Sequence, residues 1–171
     1  SELSEDLLME CYLEHCLREI TKEFLSILAQ MSKNDLEHFR NFSLDIVCEC
    51  MKVWTMVEGT QQAVTLLTNK FGDKVTKIQC HAINSLVKVV RMAQLRQDDQ
   101  LLKLVVAEQL LFLQRPTTKP SHRTYCLGFL NKFAAIADTP VTRAGLLQIY
   151  FGMFNKLLHT NEPKDLPKDR S

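Results

Sequence analysis

Five basic side chains in this 171-residue chain recur with a spacing that suits one kind of chemistry: Lys74, Lys77, His81, Lys88 and Arg91. Their steps of 3, 4, 7 and 3 place them on one stripe of a helix, because residues at those separations share a helical face. At 1.5 Å per residue the stripe runs for about 25 Å. Asp73 is the only acid between Lys70 and Arg96, whereas solvated helix faces ordinarily mix both signs. A one-sign row of ammonium and guanidinium groups attracts phosphates or an acidic partner. Lys70, Arg115, Lys119, His122 and Arg123 lie in or beside two turn-forming segments. If helices pair in chain order, those turns fall on one edge and extend the strip. The expected ligand is an RNA backbone, held by charge and helix N-termini rather than by base reading. The candidate RNA-binding residues are Lys70, Lys74, Lys77, Lys88, Arg91, Arg115, Lys119 and Arg123.

Other reactive side chains form no competing pattern. Cys11, His15 and Cys16 are the nearest approach to a metal-ligand cluster. Cys11 and His15 share a helix face, but a completing pair must come from Cys48 and Cys50, which point to opposite sides of their helix. Cys80-His81, and Cys126 with nearby His122, sit inside helical segments rather than on positioned loops. No Gly-rich phosphate loop, G-x-S-x-G, H-E-x-x-H or C-x-x-C occurs, so no nucleophile, cofactor or metal is expected. The chain is expected to be no enzyme and to have no small-molecule substrate.

Charge is segregated along the chain. Residues 1–69 hold 5 basic and 12 acidic side chains, residues 70–96 hold 6 and 1, and residues 97–159 hold 7 and 4. Residues 1–23 alone hold seven acids and two bases. Such separation suggests two different surfaces or partners. The composition, 46% hydrophobic and 24% charged, is that of a packed globular chain and excludes wholesale disorder. No apolar run approaches the roughly 20 residues that span a bilayer, so no membrane is expected as a partner. The first residues are acidic and lack the apolar segment of a signal peptide, so the six cysteines are expected to be reduced and intracellular.

The elements that must carry these residues read as helices throughout. The first runs from about Ser4 to Met31, with an apolar stripe through Leu7, Cys11, Leu17, Ile20, Phe24, Ile27, Leu28 and Met31. The second holds Leu36, Phe39, Phe42, Ile46, Val47, Cys50, Met51 and Trp54, and Gly59-Thr60 is expected to break it. The third spans about Gln61 to Phe71 and stops at Gly72, a left-handed C′ residue by expectation. The fourth, about Asp73 to Gln94, buries Val75, Ile78, Ala82, Ile83, Leu86, Val89 and Val90. Asp98 or Asp99 starts the fifth, which ends before Pro116, and Ser121 is expected to cap the sixth. Thr139-Pro140 opens the seventh, by the preference for a capping residue followed by proline. The Gly72 and Pro116 turns lie 44 residues apart, within the range of HEAT and armadillo repeats. The expected fold is all-α: a HEAT/armadillo-like α-solenoid of about seven antiparallel helices over residues 1–159, with a disordered tail over 160–171.

Four segments also resemble one family, in order and with matching spacing over about residues 35–160. Leu66-Leu67-Thr68-Asn69-Lys70-Phe71-Gly72-Asp73 resembles the Leu-x-Asn-Lys-Leu-Gly-Asp turn of the CCAAT-binding-factor family. Glu108–Pro116 is similar to its Glu-x-Leu-Leu-Phe-Arg-Pro segment, and Tyr125 with Phe129-Leu130-Asn131-Lys132 to its Tyr…Phe-Leu-Asn-Gln helix. Leu147–Phe154 resembles its Leu-x-x-Tyr-Phe-x-x-Phe. Phe71 replaces the usual Leu, Lys74 stands where Pro is common, and Lys132 replaces Gln.

The resemblance implies a HEAT-like scaffold in large ribosomal subunit assembly, located in the nucleus and nucleolus. It implies a second nucleolar-complex protein, pre-ribosomal particles and pre-ribosomal RNA as partners, and no catalytic residues. The family's transcriptional role at CCAAT boxes ranks lower, because no major-groove recognition motif is present. Among the shared turn positions, Gly72 reads as conformational, Asp73 as a cap of the following helix, and Lys70 as the plausible contact. The alternative is a generic HEAT/armadillo adaptor that binds only proteins.

Overall fold

The computed structural model describes residues 5–53 and 57–160. The described residues form seven α-helices and one 3-10 turn: α1 (Glu5–Met31), α2 (Glu37–Val53), α3 (Val57–Asn69), the turn Lys70–Gly72, α4 (Thr76–Arg96), α5 (Asp99–Gln114), α6 (Pro120–Ile136) and α7 (Pro140–Thr160). No strand occurs among them. The protein is all-α. Residues 161–171 of the expected tail, the expected cap Ser4 and the expected core residue Trp54 lie outside the described residues.

Each helix packs on the next in the chain and on the next but one. Contacts of α1 with α3, α3 with α5 and α5 with α7 make one layer; contacts of α2 with α4 and α4 with α6 make the other. One apolar core runs between the layers, from Leu25 and Leu28 through Leu44, Leu67 and Leu86 to Phe133 and Ile149. Phe71, fully buried, sits edge-on to Phe112 at 6.0 Å and to Phe129 at 5.6 Å between ring centroids. It anchors the 3-10 turn against both α5 and α6. Gly145 lets α7 approach α5: a Cβ there would lie 2.6 Å from Val106 Cγ1.

Of the residues expected to be buried on α4, Ile78, Ala82, Ile83, Leu86, Val89 and Val90 are buried, and Val75, at the cap position, is half-buried. Asp98 caps α5 by accepting from Leu101 N–H at 2.9 Å. Thr139 and Thr142 form reciprocal side chain–backbone bonds at the start of α7, so the expected cap is present there.

Several local expectations are corrected. On α1 only Leu25 and Leu28 are buried, while Leu17, Ile20, Phe24 and Ile27 of the expected stripe are exposed. The helix has apolar residues on more than one face, and periodicity does not say which face meets neighbours. On α2 the inward face is Arg40, Ser43, Leu44, Val47, Cys48 and Met51, whereas Leu36 and Phe42 are exposed. Gly59 and Thr60 lie inside α3 rather than breaking α2.

No described glycine has positive φ. Gly72 closes a 3-10 turn in which Asp73 N–H donates to Lys70 O at 3.1 Å, and this pairing removes the need for a left-handed residue. The left-handed position falls instead on Gln97, φ 56°, at the end of α4. Ser121 is inside α6; Lys119 holds the cap position and Pro120 the first helical one. Proline's fixed φ suits that place.

Candidate nucleic-acid interface

The α1–α2, α3–α4 and α5–α6 turns lie side by side along one edge, and specific contacts lock them together. Arg40, only 3% exposed, donates from Nη1 to the carbonyls of Asn34 and Asp35, both at 2.8 Å, in the first turn. Its Nε lies 3.4 Å from Asp73 Oδ2 in the second turn. Arg115 in the third turn donates to Asn69 Oδ1 and stands over the Phe112 ring at 5.7 Å. His122 approaches Gly72: a Cβ on that glycine would lie 3.4 Å from His122 Nδ1. Two-position packing of the helices produces this alignment, because every second turn returns to the same edge.

The eight candidate bases differ in their environments. Lys70 is an internal counter-ion: its side chain is 13% exposed and its Nζ lies 3.1 Å from Asp73 Oδ2. Lys74 and Lys77 are exposed, but lie 3.3 Å from Asp35 and 3.7 Å from Glu37. His81, on the same stripe, places Nδ1 2.8 Å from Asn41 Oδ1 and Nε2 2.8 Å from Asp45 Oδ1. The stripe looked free of acids along the chain; packing of α2 on α4 brings three acids to its N-terminal half.

Further along α4, Lys88 and Arg91 are exposed and have no ion-pair partner among the described residues. They line a groove of about 900 Å³ between α4 and α6, with Lys77, Asn84 and Lys132. Lys119 is exposed at the cap of α6. Arg123 is half-buried, and its Nε has no hydrogen-bond partner among the described residues.

Asp73 has a different role from the helix cap expected. The N-cap position of α4 is Val75, and Asp73 Oδ1 accepts from Val75 N–H at 3.0 Å. Asp73 O also accepts from the Gln79 amide at 2.6 Å. Its carboxylate therefore shapes the turn while it balances Arg40 and Lys70. Sequence reasoning missed Arg40, which organises the edge, and Lys132, which completes the groove. A signal existed for Arg40: it shares the helical spacing of Leu44, Val47 and Met51, where a base must find a buried partner. Nothing in the sequence announces Lys132, which joins the groove only because α6 lies beside α4.

The arrangement can hold anions at Lys88, Arg91, Lys132 and Lys119. Among the described residues no three His, Cys, Asp or Glu side chains gather as metal ligands. The six cysteines are free. Among the described residues no helix is long and apolar enough to cross a membrane.

No family profile and no solved structure matches the chain. It is 28% identical over 161 residues to an uncharacterized Schizosaccharomyces pombe protein, covering 93% of this chain and 18% of the relative. This chain thus spans less than a fifth of either relative's length, the second being Nucleolar complex protein 1 of Drosophila melanogaster, to which it is similar at 29% identity over 147 residues, 86% of this chain and 12% of that protein.

Proposed function

We propose that this chain is a non-catalytic helical-repeat scaffold acting in large ribosomal subunit assembly in the nucleolus. The observation that carries this reading is the similarity to Nucleolar complex protein 1 across 86% of the chain. The CCAAT-binding-factor motifs at Asn69–Asp73, Glu108–Pro116 and Leu147–Phe154 point the same way. Next-but-one helix packing supports a HEAT-like solenoid, in which stacked pairs present an extended surface. Its partners would be a second nucleolar-complex protein, pre-ribosomal particles and pre-ribosomal RNA. The RNA contact is drawn from the eight candidate bases. Lys88, Arg91, Lys119 and Arg123 are its mainstay, because Lys70, Lys74 and Lys77 already face carboxylates.

In-cell ultraviolet crosslinking, with sequencing of the recovered RNA, tests the reading. Pre-ribosomal RNA is expected to be enriched, and charge reversal at Lys88, Arg91, Lys119 and Arg123 is expected to remove it. Binding in vitro is expected to weaken with salt, each lost phosphate contact lowering the log–log slope by about 0.7 to 0.9. Recovery of no ribosomal precursor, or salt-insensitive binding, would refute it.

One observation favours the protein-only adaptor: Asp35, Glu37 and Asp45 already meet Lys74, Lys77 and His81, so this stripe accepts carboxylates. An acidic partner would then continue that pattern over Lys88 and Arg91. Retention of an acidic protein, with no RNA crosslink, would select this alternative.

A further inference from the structure

Helix α1 carries a second apolar stripe that no described element covers. Leu13, Leu17, Ile20, Phe24 and Ile27 follow one another at steps of 4, 3, 4 and 3. All five are between 37% and 62% exposed. A mean step of 3.5 residues is the signature of a seam that accepts a second helix lengthwise. The seam covers about 21 Å. The inward residues Leu25 and Leu28 lie on another face, where α1 meets α2 and α3.

Charge beside the seam decides what fits it. At 100° per residue, Glu10 and Glu14 lie along one side and Glu19 and Glu23 along the other. The bases Arg18 and Lys22 lie on the opposite face, bonded to Glu14 and Glu19 at 2.6 and 2.8 Å. A second copy of this chain would bring the same glutamates against one another, because a two-fold contact is self-complementary. An anionic lipid surface or a nucleic acid would meet the same repulsion.

We infer that the α1 seam docks an amphipathic helix of another protein, one whose 3.5-residue apolar stripe is bordered by lysine or arginine. Apolar side chains of that helix fill the spaces between Leu17, Ile20 and Phe24, and its bases meet Glu10 and Glu23. The partner's charge sets orientation and discriminates between candidate helices, while burial of the seam supplies most of the affinity. This surface is separate from the basic edge and does not depend on RNA binding.

The test is calorimetric titration of the full chain with two synthetic four-heptad peptides. Both carry leucine at the seam positions; one has lysine at the flanking positions and the other glutamate. The lysine peptide is expected to bind at least about tenfold more tightly, with affinity falling as salt rises. Ile20→Glu is expected to weaken it about thirtyfold or more, as at an interface hot spot, with unchanged helical circular dichroism. Leu13→Ser, on the projecting N-terminal half, reads the same surface should Ile20→Glu disturb the fold. Equal binding of the two peptides, no binding of either, or no loss in both variants would overturn the proposal. Sedimentation showing a dimer that Ile20→Glu dissolves would overturn it in favour of a second copy.

Discussion

Replacing Asp73 with asparagine isolates the charge that holds the turn edge together. Asparagine keeps the shape and an Oδ1 that accepts from Val75 N–H, now at 3.0 Å. The backbone carbonyl that accepts from Gln79 is unaffected. What disappears is the negative charge shared by Arg40 Nε at 3.4 Å and Lys70 Nζ at 3.1 Å. The Arg40 and Asp73 side chains are 4% and 5% exposed, so water does little to replace the lost partner. Breaking a buried pair in this way costs about 3–5 kcal/mol, against about 0–1 for an exposed one. For a chain of this size that corresponds to a fall of about 6–20 °C in Tm. Lys74→Ala is the internal control: it breaks the exposed pair with Asp35 and is expected to cost at most about 0.5 kcal/mol. Thermal and urea unfolding followed by circular dichroism would supply both numbers. An Asp73→Asn loss below about 1 kcal/mol, or no larger than that of Lys74→Ala, would refute the argument that burial makes this triad structural.

Three further outcomes follow from packing and titration. Gly145→Ala is expected to destabilise by about 1–3 kcal/mol by forcing Val106 aside, whereas Gly152→Ala, with nothing within 4 Å of the added Cβ, is expected to stabilise by up to about 1 kcal/mol through helix propensity; urea midpoints compare them. Burial pushes the Cys126 thiol up from 9.0 to about 12. The folded state therefore holds this proton when the unfolded state has released it. Its contribution is complete below pH 9 and is lost as pH rises towards 12, by about 1.4 kcal/mol per unit; alkaline unfolding of the wild type and Cys126→Ala shows the difference in slope. Brief alkylation followed by mass spectrometry is expected to label the exposed Cys11 and Cys80 and to spare the buried Cys48 and Cys126.

Helical order was legible where a segment has one apolar face and one polar face. Helix α4 is such a segment, and its inward residues agree with the stripe read from spacing. The caps Asp98 and Thr139 were legible because capping chemistry is local. Helix α1 has apolar residues on two faces, so spacing alone could not tell Leu28, which is buried, from Ile27, which is exposed. Gly72 suggested a left-handed turn, but a 3-10 turn with Phe71 buried beneath it forms instead. The turn edge itself was foreseen from helix pairing, and the structure brings Asn69 to Arg115 and Gly72 to His122.

By itself the order of residues determined that the chain is helical, where most helices end, and that bases collect in residues 70–96, since propensity, periodicity and charge density are local properties. Which of those bases remain open to a ligand was a tertiary decision. Asp35, Glu37 and Asp45 are 36 or more positions from Lys74, Lys77 and His81, yet packing of α2 on α4 places them within 4 Å. The same packing puts Arg40 beside Asp73, and packing of α6 on α4 brings Lys132 to the groove that Arg91 lines. Coulomb interactions depend on distance through space and on burial, and neither quantity exists until the helices have docked.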